Sequence, residues 1–582
     1  MSSEWLAPSE LRIGMGCMRL STDVDRDLTR AQATIEAAVA AGMTVFDTAH
    51  AYGRDESEVG HNERLLATAL RACGAEQRAR IVTKGGMTRA GGGWVPDGRA
   101  KAIRADCEAS LVALGGLPID TYLLHAPDPR TAWSTSVRAL ARLHADGLVR
   151  RVGLSNVNRH QLDEALTLAP ISAVQVALSV VDDGPLRGGL VERCAELGIA
   201  LIIHSPLGGP RRAPSLARHE VLGQVAARHG AEPAEVALAW LLSLSPVVVA
   251  IPGARRPETA RSAARAAELT LSEADSAALQ TAPPRATPAG ARAATGADAD
   301  IVMVMGIPGA GKTRAAQEYV ARGYERLNRD ERGGSLREIA RALDERLNAG
   351  VRRIVLDNTY LTRAARSHVI EAAARHGAAV RCVWLSTPLA HAQVNLVTRL
   401  IALHGTLPMP EDLRALAKTT EGVMAPTSQM RTVRELEPPA LDEGFAAVEE
   451  VPYQRGSASE HGAGVLVAAP ALERACWEAA VAGADPAAPH LLFDWRPQET
   501  PQALGEQAAR LSRTVSGEVF AALCPHEGGP PRCWCRPPLP GLALAFAATH
   551  HLDPARCVVV GSGPAHRTLA NALGARHIPV EA

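Results

Sequence analysis

Short apolar runs separated by longer amphipathic stretches recur along the first 280 residues: TVFDTA, ARIVTKG, DTYLLHA, VRRVGLSN, AVQVAL, ALIIHSPL and VVVAIPG. Each run has strand length, and the stretch after it carries the 3.6-residue period of a helix with one buried face. Near-continuous apolar strands are those covered on both sides, as in a parallel sheet. Seven or eight such βα units predict a (β/α)8 barrel over residues 1–281, with its working residues at the C-terminal ends of the strands. Periodicity then stops: residues 282–299, APPRATPAGARAATGADA, are rich in Ala, Pro and Gly and predict a flexible linker.

The pattern resumes with IVMVM at 301, RRIVLDN and VRCVWLS, which predict a second α/β domain over residues 300–453. After a Gly/Ser-rich break at 456–464, GVLVAA, HLLFDW and RCVVVGS predict a third, Rossmann-like α/β domain over residues 454–582. Length agrees, because 582 residues exceed what one hydrophobic core can organise.

Composition narrows the chemistry. Asp plus Glu balance Lys plus Arg at 62 each, so whole-chain charge names no partner. Residues 301–440 are locally basic, with 20 Lys or Arg against 14 Asp or Glu, which suits phosphate-rich ligands. The N-terminus lacks the charged start and apolar run of a secretory signal, and no stretch has the length of a membrane helix; the expectation is a cytoplasmic protein without a membrane partner. Only four of the 62 basic residues are lysines, Lys84, Lys101, Lys312 and Lys418. Two of them stand in IVTKGG and GIPGAGKT, where a compact ammonium does what a planar guanidinium cannot.

In the barrel, Asp47, Tyr52, Lys84 and His125 stand just past three successive strands, in FDTAHAYG, VTKGG and LLHAPD. In this order and spacing they resemble the catalytic tetrad of the aldo-keto reductases, and the likeness extends over residues 10–275. The resemblance implies a TIM barrel that reduces a carbonyl small molecule with NADP(H). Tyr52 would be the general acid, Lys84 paired with Asp47 would lower the phenol's pKa, and His125 would orient the carbonyl. Ser155 and Asn156 in GLSN and Gln175 in VQV match residues that hold the nicotinamide amide. SPLGG, with Ser205 and Leu207, and IPGARRPE, with Gly253, Arg255 and Arg256, resemble the segments gripping the pyrophosphate and the adenosine 2′-phosphate. At 204 the family commonly has an aromatic residue stacking on the nicotinamide; here it is His204.

Gly306, Gly311, Lys312 and Thr313 fill the fixed positions of GxxxxGK[ST] after a strand and before a helix, with Gly309 inside the loop. The pattern predicts a phosphate cradle for ATP with Mg2+, in which Lys312 reaches the β and γ oxygens and Thr313 ligates the metal. LNRDER, at the end of the next strand, resembles polynucleotide 5′-kinases. That resemblance implies Asp330 as the base on an attacking hydroxyl, Arg332 on the acceptor phosphate, Asp357 and Asn358 at the site, and Arg399 in a lid clamping the transferring phosphoryl. Two acceptors stay open, a nucleic acid 5′ end and a small-molecule hydroxyl.

Cys524, His526, Cys533 and Cys535 form CxHx6CxC, a ligand set suited to a closed tetrahedral Zn2+ site that orders its loop. The loop resembles that of haloacid-dehalogenase (HAD)-type phosphatases. Their DxD pair is replaced by Ala468 and Pro470, the expected lysine by Pro537, and the late aspartate by Ser562, which leaves Asp494 as the acid at a strand end and predicts an inactive relative. The expectation is an α/β multidomain, bifunctional enzyme, able to form homo-oligomers. The alternatives are a small-molecule kinase fused to a reductase, and an assembly that senses NADP(H) and ATP without turnover.

Overall fold

The computed structural model describes residues 5–581 except 129, 280–298, 421, 456–460 and 530. Eight parallel strands follow one another in sequence order: β1 (Met15–Gly16), β2 (Val45–Asp47), β3 (Arg80–Gly85), β4 (Thr121–Leu124), β5 (Arg151–Ser155), β6 (Ile171–Ala177), β7 (Ala200–His204) and β8 (Val248–Ala250). Ile13, just ahead of β1, bridges Ala250 of β8, so the sheet closes into a barrel.

Strand alternation sorts the residues of this barrel. Val45, Val82, Leu123, Ala173, Ile202 and Val249 form the cluster inside it. Their neighbours Phe46, Ile81, Tyr122, Leu124, Val174, Leu201 and Ile203 face the surrounding helices in a larger apolar layer. Trp5 closes the end where the strands begin, joining the interior cluster while its indole N–H donates to Asp120 Oδ1 at 2.9 Å. The opposite end, where the strands finish, is left for chemistry.

The chain divides into two compact units, Met1–Ala289 and Gly290–Ala582. The 282–299 linker expectation lies, but for residue 299, outside the described residues. The second unit holds two five-stranded parallel sheets. One comprises β9 (Asp300–Met305), β10 (Glu325–Leu327), β11 (Arg353–Asp357), β12 (Ala379–Leu385) and β13 (Ala447–Val451), in the order β10-β11-β9-β12-β13. The other comprises β14 (Val465–Ala468), β15 (His490–Trp495), β16 (Val519–Cys524), β17 (Val558–Gly561) and β18 (Arg576–Pro579), in the order β16-β15-β14-β17-β18. Both place their first strand centrally, so the loops after β9 and β14 open at a switch point of the sheet, where such folds bind ligands.

One apolar cluster runs through both parts of this unit. Leu396, Val397, Leu400 and Ile401, on helix α1 (Leu389–His404), pack in the same core as Trp534, Leu539 and Phe546. Among the described residues no helix is long and apolar enough to cross a membrane.

Candidate functional site

At the finishing end of the barrel the structure brings the tetrad together. Lys84 reaches up from β3 with its Nζ 2.7 Å from both Asp47 oxygens, 2.9 Å from the Thr48 carbonyl and 3.0 Å from Tyr52 Oη. All three side chains are buried. A buried pair of charges lasts only when its remaining donors and acceptors are filled, and here Gln175 Nε2 donates to Asp47 Oδ1 at 2.7 Å. Lys84 is held above its ordinary pKa: burial acts to lower it, and the charges of Asp47 and Tyr52 overcome that. Burial pushes the Tyr52 phenol up, and Lys84 offsets only part of the rise. Lys84 therefore acts on the phenol in the expected direction, and burial outweighs it.

His125 stands across from the phenol, ring centroids 5.7 Å apart. Its Nδ1 is buried without a hydrogen-bond partner, and burial keeps the ring neutral by driving its pKa well below the usual value.

The hairpin formed by Met87–Ala90 and Gly93–Pro96 adds a residue that the sequence reading missed. Trp94 packs edge-on to Tyr52 at 6.0 Å and tilted to His125 at 6.1 Å. Arg89 stacks on it with Cζ 4.0 Å from a ring centroid. The GGGW turn was the available signal, since paired glycines beside alternating residues mark a hairpin.

Of the residues expected to hold the cofactor, Gln175 touches Asp47 and Asn156 touches His125. Asn156 follows β5 with φ +58° and Ser205 follows β7 with φ +51°. Such left-handed backbone costs non-glycine residues energy and clusters at functional sites. Asn156 Nδ2 donates to the His125 carbonyl at 3.0 Å and to Ser155 Oγ at 3.1 Å. His204 Nε2 lies 3.1 Å from Asn156 Oδ1, and burial brings its pKa down to about 4. Leu207 packs at the edge of the apolar layer. Gly253 is exposed, as is Arg256, which precedes the helix Pro257–Arg265. Arg255 is engaged by Asp23 and Asp25.

In the second unit, the loop from Gly306 to Thr313 turns from β9 into helix α2 (Lys312–Ala321, preceding α1 in the chain). Gly311 caps this helix at φ +98°; Gly309 has φ +86°, and a Cβ there would lie 2.2 Å from the Ala392 carbonyl. Only glycine fits, and a glycine loop at a helix N-terminus is a backbone able to turn N–H groups toward an anion.

The loop borders a cavity of about 1160 Å³ whose walls include Lys312, Thr313, Asp330, Asp357, Arg399 and Lys418. Burial lowers Lys312 to about 8, against the opposing pull of Asp357 and Asp330. Asn328, not Asp330, caps the short helix Arg329–Arg332, accepting from the Asp330 and Glu331 backbones; Asp330 lines the cavity with its Oδ1 3.3 Å from Arg329 Nη2. Arg332 is exposed and does not line the cavity; Arg329 takes that place, its backbone fixed by Asn358 at 2.8 Å. Asp357 is buried at the end of β11 and paired with Arg326.

Cys524, His526, Cys533 and Cys535 offer ligand atoms that all lie within 4.8 Å of one another. Cys524 Sγ is 3.6 Å from Cys533 Sγ and 3.4 Å from His526 Nδ1, which is 3.2 Å from Cys535 Sγ. A tetrahedral zinc with bonds of about 2.3 Å to sulfur and about 2.0 Å to nitrogen sets edges of roughly 3.5 to 3.8 Å, and the cluster fits. At the end of β15, Asp494 accepts from Arg496 Nε at 2.9 Å, and Ala468 ends β14 where the resemblance expected an acid.

Comparison with known proteins agrees with the barrel and the loop. Residues 12–282 match the model of the Aldo/keto reductase family, and residues 301–402 match a model described as AAA domain. Aldo-keto reductase str7 of Strobilurus tenacellus is 30% identical over 307 residues, 47% of this chain and 88% of that protein. An uncharacterized oxidoreductase of Schizosaccharomyces pombe, C215.11c, is 31% identical over 267 residues, 45% and 83% of the two chains. Among solved structures, the thermostable aldo-keto reductase Tm1743 is 30% identical with a TM-score of 0.40, covering 46% of this chain and 93% of its own.

Proposed function

Because the chain belongs to the aldo/keto reductase family through its first 282 residues, we propose that it is a bifunctional enzyme: an NADP(H)-dependent carbonyl reductase joined to an ATP-dependent kinase. Bound nicotinamide would supply the hydride to the carbonyl carbon. Tyr52 then gives its phenolic proton to the oxygen, while Lys84 stabilises the charge left on the tyrosine. His125, held neutral, orients the same oxygen. The contact that carries this reading is the 3.0 Å hydrogen bond from Lys84 to Tyr52.

For the second unit, the reading rests on a cavity that joins the phosphate loop to Asp330, Arg399 and Lys418. Its volume exceeds the range of roughly 300–1,000 Å³ typical of a site for one small ligand, leaving space for an acceptor beside MgATP. Asp330 is the base on the acceptor hydroxyl, and Arg399 and Lys418 face the transferring phosphoryl. We assign the acceptor as the 5′-hydroxyl end of a nucleic acid, supported by Arg329 on the cavity wall, which would meet its phosphate in place of Arg332. Zinc held by the four-residue cluster is structural. The C-terminal sheet carries a phosphatase-like fold without its chemistry, since Asp494 is tied to Arg496.

The test is transfer of labelled γ-phosphate from ATP to 5′-hydroxyl RNA and DNA oligonucleotides, with Lys312→Ala and Asp330→Ala as controls. Transfer lost in both variants is expected. MgATP binding without transfer to any oligonucleotide would move the acceptor to a small-molecule hydroxyl. NADPH oxidation with a panel of aldehydes, compared with Tyr52→Phe, tests the barrel.

A further inference from the structure

The residue between the last two cysteines, Trp534, is fully buried, and it is buried against the nucleotide site rather than against its own sheet alone. Its indole N–H donates to the Met424 carbonyl at 3.0 Å. Leu396, Val397, Leu400, Leu413 and Val423, all from the segment after β12, share its apolar cluster. Leu407 packs on the cysteine cluster itself. The Trp534 backbone is fixed as tightly: its carbonyl accepts from Gly541 N at 3.0 Å, and a Cβ at Gly541 would meet that carbonyl at 2.5 Å and Leu407 at 2.8 Å.

Met424 walls the phosphate cavity together with Lys418, Thr419, Thr420, Gly422 and Val423. Two residues later begins the helix Pro426–Glu435, whose buried Gln429 donates to the Pro308 carbonyl of the phosphate loop at 2.8 Å. Asn395 of α1, the helix carrying Arg399, donates to the next carbonyl, Gly309, at 2.9 Å. A continuous path therefore runs from Cys533 and Cys535 through Trp534, Met424 and Gln429 to the loop that receives phosphate.

We propose that the CxHx6CxC loop, once it holds zinc, is the brace of the nucleotide site: the metal fixes Trp534, and Trp534 fixes the cavity wall and the phosphate loop. The inference rests on the zinc and nucleotide readings above. Trp534 is thus a positioning residue, touching neither nucleotide nor metal. Zinc sites of this kind supply folding energy to short loops that have little core of their own. The loop here contributes its tryptophan to a core on which another site depends, so removing the metal by chelation opens the MgATP site.

The experiment uses the full chain and measures zinc content, MgATP affinity by calorimetry, and amide hydrogen exchange. Stripping zinc with a chelator is expected to weaken MgATP about tenfold or more, the scale on which supporting shells act, and returning zinc restores it. Trp534→Phe keeps an aromatic ring and the four metal ligands but removes the indole N–H, which leaves the Met424 carbonyl unpaired. We expect undiminished zinc, about fivefold weaker MgATP, and faster exchange confined to residues 418–430 and the phosphate loop. Protein isolated without zinc from zinc-supplemented medium overturns the metal reading, and MgATP binding that survives Lys312→Ala overturns the nucleotide reading. Zinc present and Lys312-dependent binding, with affinity indifferent both to chelation and to Trp534→Phe, overturns the brace alone.

Discussion

Arg255 Nε lies 3.0 Å from Asp23 Oδ2, and the far side of the same guanidinium is paired with Asp25. Of the two arginines expected at the adenosine 2′-phosphate, Arg255 is therefore already neutralised, and a phosphate has to displace a carboxylate to reach it. Asp25 is the more exposed of the two acids, and exposed ion pairs are weak. Asp25→Asn is expected to tighten NADPH binding about two- to fourfold and leave NADH binding unchanged. Fluorescence titration of both cofactors checks it; equal effects on the two would remove Arg255 from phosphate recognition.

The Lys84, Asp47 and Tyr52 cluster separates chemistry from stability. Tyr52→Phe removes the proton donor and keeps the ring against Trp94, so kcat is expected to fall by about 10²–10⁴, the range of general acid catalysis, with cofactor affinity retained. Lys84→Met also leaves Asp47 buried without its cation, which costs about 3–5 kcal/mol. Denaturant unfolding is expected to show that loss for Lys84→Met and little change for Tyr52→Phe.

His204 sets a pH dependence. Burial holds its pKa at about 4 in the fold, against 6.5 for the free side chain. Between those values the unfolded chain binds the proton and the folded barrel does not, so stability rises with pH across the window. The contribution is complete above about pH 6.5 and is lost as pH falls toward 4. His125, also lowered by burial, acts in the same direction. His204→Phe is expected to flatten the urea midpoint of the barrel between pH 6.5 and 4.5 relative to the parent. An unchanged slope would place the titration elsewhere.

Much of this was legible in the sequence, for physical reasons that differ by element. The βα rhythm exposes the barrel because strands covered on both faces must be apolar throughout, as in TYLL at 121–124. Gly309 and Gly311 were readable because only glycine tolerates their backbone. Trp94 was not, because its place depends on where a hairpin folds over the barrel mouth. Arg332 and Arg329 are three residues apart on one short helix, and which of them meets the cavity depends on the Asn328 cap and the Asn358 contact. The dependence of the phosphate loop on Trp534 was invisible for a related reason: Met424 is 110 positions away, and no local pattern encodes that pairing.

Gly309 offers a test of the cradle by shape alone. A methyl group there meets the Ala392 carbonyl at 2.2 Å in a backbone conformation with φ +86°. Either the loop or helix α1 has to move. Gly309→Ala is expected to weaken MgATP at least about tenfold, since a loss of only 1.4 kcal/mol is already that factor. Barrel kinetics should stay at the parent level. Unchanged MgATP affinity would show that the loop does not hold the phosphates.

Lys312 gives the last expectation, one of pH. Its ammonium is lowered to about 8, chiefly by burial, with Arg399 and Arg329 adding to the effect and Asp357 and Asp330 opposing it. Phosphate oxygens bring opposite charge to the same pocket and so favour the protonated form. MgATP binding must then raise this pKa, and above pH 8 it takes up a proton that the free protein has lost. Affinity is expected to fall about tenfold for each pH unit once the free lysine is deprotonated, until the pKa of the complex is reached. Calorimetry in buffers of different ionisation enthalpy would read the uptake directly. Lys312→Arg, whose guanidinium does not titrate in this range, should bind more weakly with no such pH dependence, whereas a parent protein with flat affinity from pH 7 to 9.5 would show that Lys312 does not meet the phosphates.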